Sequence, residues 1–207
     1  MLRIGLTGHA RAGKDTAAEI ISRHYKLMHV NFADALKADL IKLNPIIDPY
    51  HGLHLDEALL INNGDTDALK KYYPEWRRLC QYYGTDVRRA ENPNIWVERL
   101  IDSVFEKMYK EGVLFPGFVV GDMRFPNERE EVLWNAVIRI TRPGVIKAND
   151  HIAEAYIDEM PVDYEIENDG TLEEFEQKVL DVMVLVDRSR DDDQEEVPVP
   201  YDEEEYD

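Results

Sequence analysis

Gly8-His9-Ala10-Arg11-Ala12-Gly13-Lys14-Asp15-Thr16 places two glycines and a lysine at the spacing of a phosphate-binding loop. Glycines let the backbone turn successive N–H groups inward around phosphate oxygens, and a helix that follows directs its positive dipole end at the same anion. Both flanks fit that geometry. Leu2, Ile4 and Leu6 precede the loop as an apolar strand, and Ala17, Ala18, Ile20, Ile21 and Tyr25 follow at helical spacing. On this reading Gly8, Arg11, Ala12, Gly13, Lys14, Asp15 and Thr16 grip a nucleotide's phosphates, with Lys14 as a mobile charge for the outer ones. The ordinary alternative is a glycine-rich strand-to-helix turn with an exposed lysine. One departure stands out: the residue after the lysine is Asp15 and the hydroxyl comes one place later, on Thr16. Asp15 has three open roles, namely direct metal binding, binding through water, or assistance to the acceptor.

The composition narrows the rest. A chain of 207 residues, 44% hydrophobic and 10% aromatic, suffices for one sizeable core. A formal charge of −19 and an isoelectric point near 4.6 argue against a phosphate-backbone binder, so duplex nucleic acid is not expected as a partner. Ten of the acidic residues and no basic one fall between Asp191 and Asp207, a segment with prolines and little apolar content that is expected to be disordered. Cys80 is the only cysteine, which suits a reducing compartment. The opening strand replaces a signal-like start and no apolar run reaches membrane-spanning length, so a cytoplasmic protein without membrane contact is expected. His51 and His54 lack companion ligands and read as solvated loop residues.

Periodicity predicts strands at Leu2–Leu6, Met28–Phe32, Phe118–Val120, Ala136–Ile140 and Tyr164–Glu167, alternating with helices. Helices are predicted over Ala33–Leu43, Asp56–Tyr73 with a break at Asn62–Gly64, Pro74–Arg89, Asn94–Glu111, Glu128–Trp134, Asp150–Glu159 and from Thr171 onward. The expected architecture is an α/β three-layer sandwich: a parallel sheet of about five strands flanked by helices. One domain spans about 1–187, with a helical insertion at about 44–112, a small lid at about 141–160 and an acidic tail at 188–207. Asp122 ends the central apolar strand, where a parallel sheet gathers its carboxyl ends beside the loop, and is a candidate metal-organising carboxylate alongside Asp15 and Thr16. A plain capping or turn aspartate is the competing use. Arg124, Asn127 and Glu128 follow it around Pro126.

Four separated segments resemble those of the bacteriophage-type deoxynucleoside monophosphate kinases of the phosphate-loop kinase superfamily. They are the loop with its Gly-Lys-Asp-Thr ending, Phe32-Ala-Asp34-Ala-Leu-Lys37, Arg78-Leu-Cys-Gln81-Tyr-Tyr-Gly84-Thr85-Asp86 with Arg88 and Trp96 beyond, and Asp122 to Glu128. His151, Glu154 and the turn at Asn168–Leu172 add a fainter likeness. The resemblance implies transfer of a phosphoryl group from ATP to a deoxynucleoside monophosphate with Mg2+, in support of DNA precursor supply, in host cytoplasm if the source is viral, and is compatible with a homodimer. Lys14, Asp15, Asp122 and Arg124 then carry catalysis. Asp34, Lys37, Arg78, Gln81, Thr85, Arg88, Trp96, Arg124, Asn127 and Glu128 face the acceptor. Arg142 joins the donor side, with Arg139 and Lys147 as further lid cations. Arg78 and Arg88 are expected on one helical face with Gln81 and Thr85, and Arg77 and Arg89 on the solvated one. Two alternatives keep the loop but change its use: a kinase for dephospho-coenzyme A or another metabolite, and a nucleotide-gated interaction protein.

Overall fold

The computed structural model describes residues 1–145 and 152–195. Its centre is a five-stranded sheet, β1 (Leu2–Thr7), β2 (Met28–Val30), β5 (Gly117–Met123), β6 (Ala136–Thr141) and β7 (Tyr164–Glu167), in the order β2-β5-β1-β6-β7 with every pair parallel. Strands covered on both faces have no polar side to show, which is why β1 and β5 are nearly continuous apolar runs. β1 pairs with β5 so that Thr7 stands opposite Met123 after a local register shift. The buried Thr7 hydroxyl closes that irregularity by donating to the Met123 carbonyl at 3.0 Å. The loop leaving β1 therefore emerges next to Asp122 on β5.

Helices α1 (Lys14–Tyr25) and α9 (Leu172–Glu195) cover one face; their apolar stripes bury Ile20, Ile21, Phe175, Val179 and Met183 against β1 and β6. The other face carries α2 (Phe32–Leu43) and α6 (Ile95–Glu111), packed through Phe32, Trp96, Leu100 and Val104 onto β5. A third apolar cluster, built on Leu40, Ile47, Leu55, Leu69 and Trp76, sits within the segment expected as an insertion. That segment holds a small hairpin, β3 (Ile46–Asp48) with β4 (Leu53–His54), then α3 (Leu55–Ile61), α4 (Thr66–Tyr72) and α5 (Pro74–Gln81). The hairpin, read from sequence as plain loop, is too short to show periodicity. His51 pairs with Asp48 at 2.7 Å and His54 meets the Asn44 carbonyl at 2.9 Å, so both histidines brace this turn.

Three other expectations change. The helix from Pro74 does not stay α-helical: Tyr82–Arg89 is a π-helical segment with i→i+5 bonding. The helix expected at Glu128–Trp134 is α7 (Pro126–Glu130), because Pro126 starts it with a φ already suited to a first turn. α8 (Ile152–Glu159) follows, while Lys147 and His151 lie outside the described residues. The boundary expected at 188 falls inside α9, which runs on to Glu195, since extending a formed helix costs far less than starting one. The remaining acidic residues, 196–207, lie outside the described residues. Among the described residues no helix is long and apolar enough to cross a membrane.

Candidate active site

The loop between β1 and α1 owes its shape to positive φ angles at Gly8 (141°), Arg11 (70°) and Gly13 (111°). At Gly8 a side chain is excluded outright, because a Cβ would lie 2.2 Å from the Ile140 carbonyl oxygen of the neighbouring strand. Ala12 N–H donates to the His9 carbonyl at 3.2 Å, and the Asn168 side-chain amide donates to the Ala12 carbonyl at 2.9 Å, tying the loop to the turn before α9. Lys14, only 8% exposed, reaches back to donate to the His9 carbonyl at 2.9 Å. Burial, aided by the nearby Arg124 charge, lowers its pKa to about 8, against the opposing pull of Asp15, Asp122 and Glu154. A curled main chain and an ammonium held at the start of a helix form a nest for phosphate.

The loop opens into a cavity of about 330 Å³ bounded by α1, the start of α2, α5, the π-helical segment and the β5–α7 turn. Among the described residues seven cations line it: Arg11, Lys14, Lys37, Lys70, Arg77, Arg89 and Arg124. Four carboxylates, Asp15, Asp122, Glu128 and Glu154, oppose them. Concentrating seven positive side chains in one recess of a chain with net charge −19 marks the recess as a seat for polyanions. Gln81, Thr85, Trp96, Phe32 and Leu36 also face it.

Asp122 accepts N–H bonds from Phe32 (2.8 Å) and Ala33 (2.9 Å) through both oxygens. It thus anchors the amino end of α2 while lining the cavity, and the capping and site readings of this residue coincide. Burial raises its pKa and the two main-chain donors work against that rise. Glu128, 2% exposed, pairs with Arg89 and accepts the main-chain N–H of Arg124 (2.6 Å) and Phe125 (3.0 Å). Burial pushes its pKa up to about 7 despite Arg89. Arg124 directs its guanidinium to Glu154 on α8 at 2.6 Å, and Glu154 also meets His9 of the loop at 3.1 Å. Asp158, one turn further along α8, takes the other His9 ring nitrogen at 2.9 Å.

Several expected residues stand elsewhere. Arg78 points outward, its side chain 76% exposed and forked onto Glu75, and Arg88 pairs with Glu91; neither lines the cavity. Arg77 and Arg89, expected on the solvated face, line it instead. The wider turn of the π-helical segment rephases the face, so that Arg77, Gln81, Thr85 and Arg89, each four residues apart, come to one side. Asp34 receives the Asn31 N–H at 3.0 Å and caps α2 rather than facing the cavity. Asn127 is consumed in bonds to Pro93, Asn94 and Arg89. Trp96 both lines the cavity and belongs to the core, its indole N–H donating to the Gly84 carbonyl at 3.0 Å. Arg142 lies behind the loop, in a separate recess of about 80 Å³ with Gly8, His9, Ala12 and Arg139. Arg139 is spent on the carbonyls of Ile157, Asp158 and Met160 at the end of α8. Thr16 follows Asp15 on α1 but does not border the cavity. His9 and Lys70 have no assigned role in the sequence reading because no spacing signal marks them, and Glu154 enters it only through the fainter likeness.

A phosphate nest at the carboxyl edge of a five-stranded parallel sheet, facing a cationic recess walled in part by α5 and the π-helical segment, defines a phosphate-loop phosphotransferase. A family model for deoxynucleotide monophosphate kinase matches residues 58–179, more than half the chain, and the chain belongs to that family. It is similar to a putative deoxynucleotide monophosphate kinase of Acanthamoeba polyphaga mimivirus, 27% identical over 87% of this chain and 95% of that protein. It is also similar to the deoxynucleotide monophosphate kinase of Enterobacteria phage T4, 28% identical over 60% of this chain and 52% of that protein. Among solved structures, TT1252 from Thermus thermophilus is 16% identical and covers 89% of this chain and 96% of its own, with a TM-score of 0.48.

Proposed function

We propose that the chain transfers the terminal phosphoryl group of ATP to the phosphate of a deoxynucleoside monophosphate, releasing ADP and a deoxynucleoside diphosphate for DNA precursor supply. The observation that carries this reading is the joining of the phosphate nest and the seven-cation recess in one cavity. Such a reaction must hold two polyanions end to end, and cations at both ends and the middle meet that need.

In the proposed arrangement the loop N–H groups, Arg11 and Lys14 hold the donor's phosphates, and Arg142 flanks the donor from behind the loop. Arg77, Arg89 and Lys37 take the acceptor phosphate; Gln81 and Thr85 address its sugar or base beside Trp96. An acceptor phosphate oxygen attacks the terminal phosphorus in line, the bond to the bridging oxygen breaks, and the leaving charge stays on ADP. Arg124 lies between the two ends and neutralises the group in transit. Asp15 and Asp122 fit Mg2+, because that ion uses one or two carboxylates plus phosphate oxygens, and Asp122 keeps unshared lone pairs beside its two N–H bonds. The ion's contribution when bound is to offset phosphate charge.

Coupled ADP-release assays with ATP, Mg2+ and each of the four deoxynucleoside monophosphates test this reading, with dephospho-coenzyme A as a contrast acceptor. Turnover that depends on a deoxynucleotide is expected. Turnover with the contrast acceptor alone, or ATP binding without any acceptor-dependent release, refutes it.

A further inference from the structure

We propose that Glu128 is a positioning residue that holds Arg89 and Arg124 in register across the cavity, acting through them and not on a ligand. The inference rests on the kinase reading above but stands on its own geometry. One oxygen, Oε2, accepts the main-chain N–H of both Arg124 and Phe125, fixing the β5–α7 turn from which the Arg124 side chain departs. The other, Oε1, takes the Arg89 guanidinium at the far end of the π-helical segment. A single buried carboxylate thereby fastens together two stretches 39 residues apart in sequence.

Arg89 is confined from its remaining sides. Its guanidinium carbon lies 3.9 Å from the centre of the Phe125 ring, and Nη1 donates to the Pro93 carbonyl and to Asn127 Oδ1, both at 3.1 Å. Nε–H and one Nη2 hydrogen are left, among the described residues, for an anion in the cavity that Arg89 lines. A buried ion pair adds little net stability over an apolar filling of equal volume, and its best-attested use is to select one arrangement. Here that arrangement aims one arginine from the helical wall and another from the central strand into the same recess. Glu128 itself has both oxygens engaged, and Trp134 holds its main-chain carbonyl at 2.8 Å.

The test is a cycle of Glu128→Gln, Arg89→Ala and the double variant, each assayed for KM of ATP, KM of the deoxynucleoside monophosphate and kcat. Glutamine keeps the shape and one acceptor oxygen for the main-chain N–H groups but turns no charge toward Arg89. The acceptor KM is expected to rise about tenfold or more in each single variant, with the KM of ATP within about twofold of the parent. If Glu128 works through Arg89, the double variant is no worse for the acceptor than Arg89→Ala alone. An unchanged acceptor KM in Glu128→Gln, additive losses in the double variant, or an equal loss for ATP overturns the proposal. Should Glu128→Gln fail to fold, Arg89→Lys takes its place: the same acceptor-selective rise is expected, and an unchanged acceptor KM overturns it. Should the parent enzyme show no acceptor-dependent ADP release, the kinase reading falls and this one is still decided. The affinity for deoxynucleoside monophosphate is then read by titration calorimetry in the same variants, with the same expected and contrary outcomes.

Discussion

Lys14 shows at the scale of one residue how a binding site is set against the fold that carries it. Its ammonium is buried beside Arg124, so at neutral pH the folded protein holds a charge that the unfolded chain would hold in water at less cost. The folded-state pKa of about 8 lies below the ordinary 10.5. Between those values the unfolded chain binds the extra proton, and stability rises with pH; below about 8 the burial cost is present in full. Lys14→Met is therefore expected to raise the thermal midpoint by a few degrees at pH 7 without nucleotide, while abolishing transfer. The gain should shrink as pH climbs above 8, and a gain that grows with pH contradicts the assignment. The neighbouring arginines give a second comparison. Arg77→Ala should raise the acceptor KM several-fold, whereas Arg78→Ala, exposed and paired with Glu75, should leave it unchanged in the same steady-state assay.

Among the elements, the π-helical segment separates what the sequence states from what it conceals. Strands β1, β5 and β6 and helices α1, α2 and α6 follow from hydrophobic period and from glycine and proline punctuation, because burial on a sheet leaves a regular trace. Asp122 was legible for the same reason: parallel strands end along one edge. A π-helical segment leaves no such trace. No residue pattern in Tyr82–Arg89 announces it, and the segment meets a long-range partner, the Trp96 indole donating to the Gly84 carbonyl from α6. The α-helical period that aligns Arg88 with Arg78 fails beyond Gln81, and Arg77 and Arg89 take the inward positions. Trp96→Phe keeps the apolar bulk but leaves that carbonyl without its donor. It is expected to cost about 1–2 kcal/mol in urea denaturation and to raise the acceptor KM. Loss of stability with no change in acceptor KM would separate the segment from the site.

Across the whole molecule, charge is sorted rather than spread. A chain with 43 acidic and 24 basic residues collects seven of its cations around one recess, so the attraction for nucleotides is short in range and the outer surface repels other polyanions. Raising the salt from low to half-molar concentration should weaken ATP binding several-fold by calorimetry, and an insensitive affinity would place the phosphates outside the cationic recess. Helix α8 is built into the same scheme: Arg139 grips its carboxyl end, and Glu154 and Asp158 bridge it to His9. The helix and the loop thus report on each other through one imidazole. Helix α9 begins beside the phosphate loop and continues for 24 residues, about 36 Å at helical rise. A thiol introduced by Ser189→Cys at that exposed position would tether the enzyme to a bead by its remote pole while burial keeps Cys80 protonated with its pKa at about 11, leaving the mouth turned toward the flowing solution.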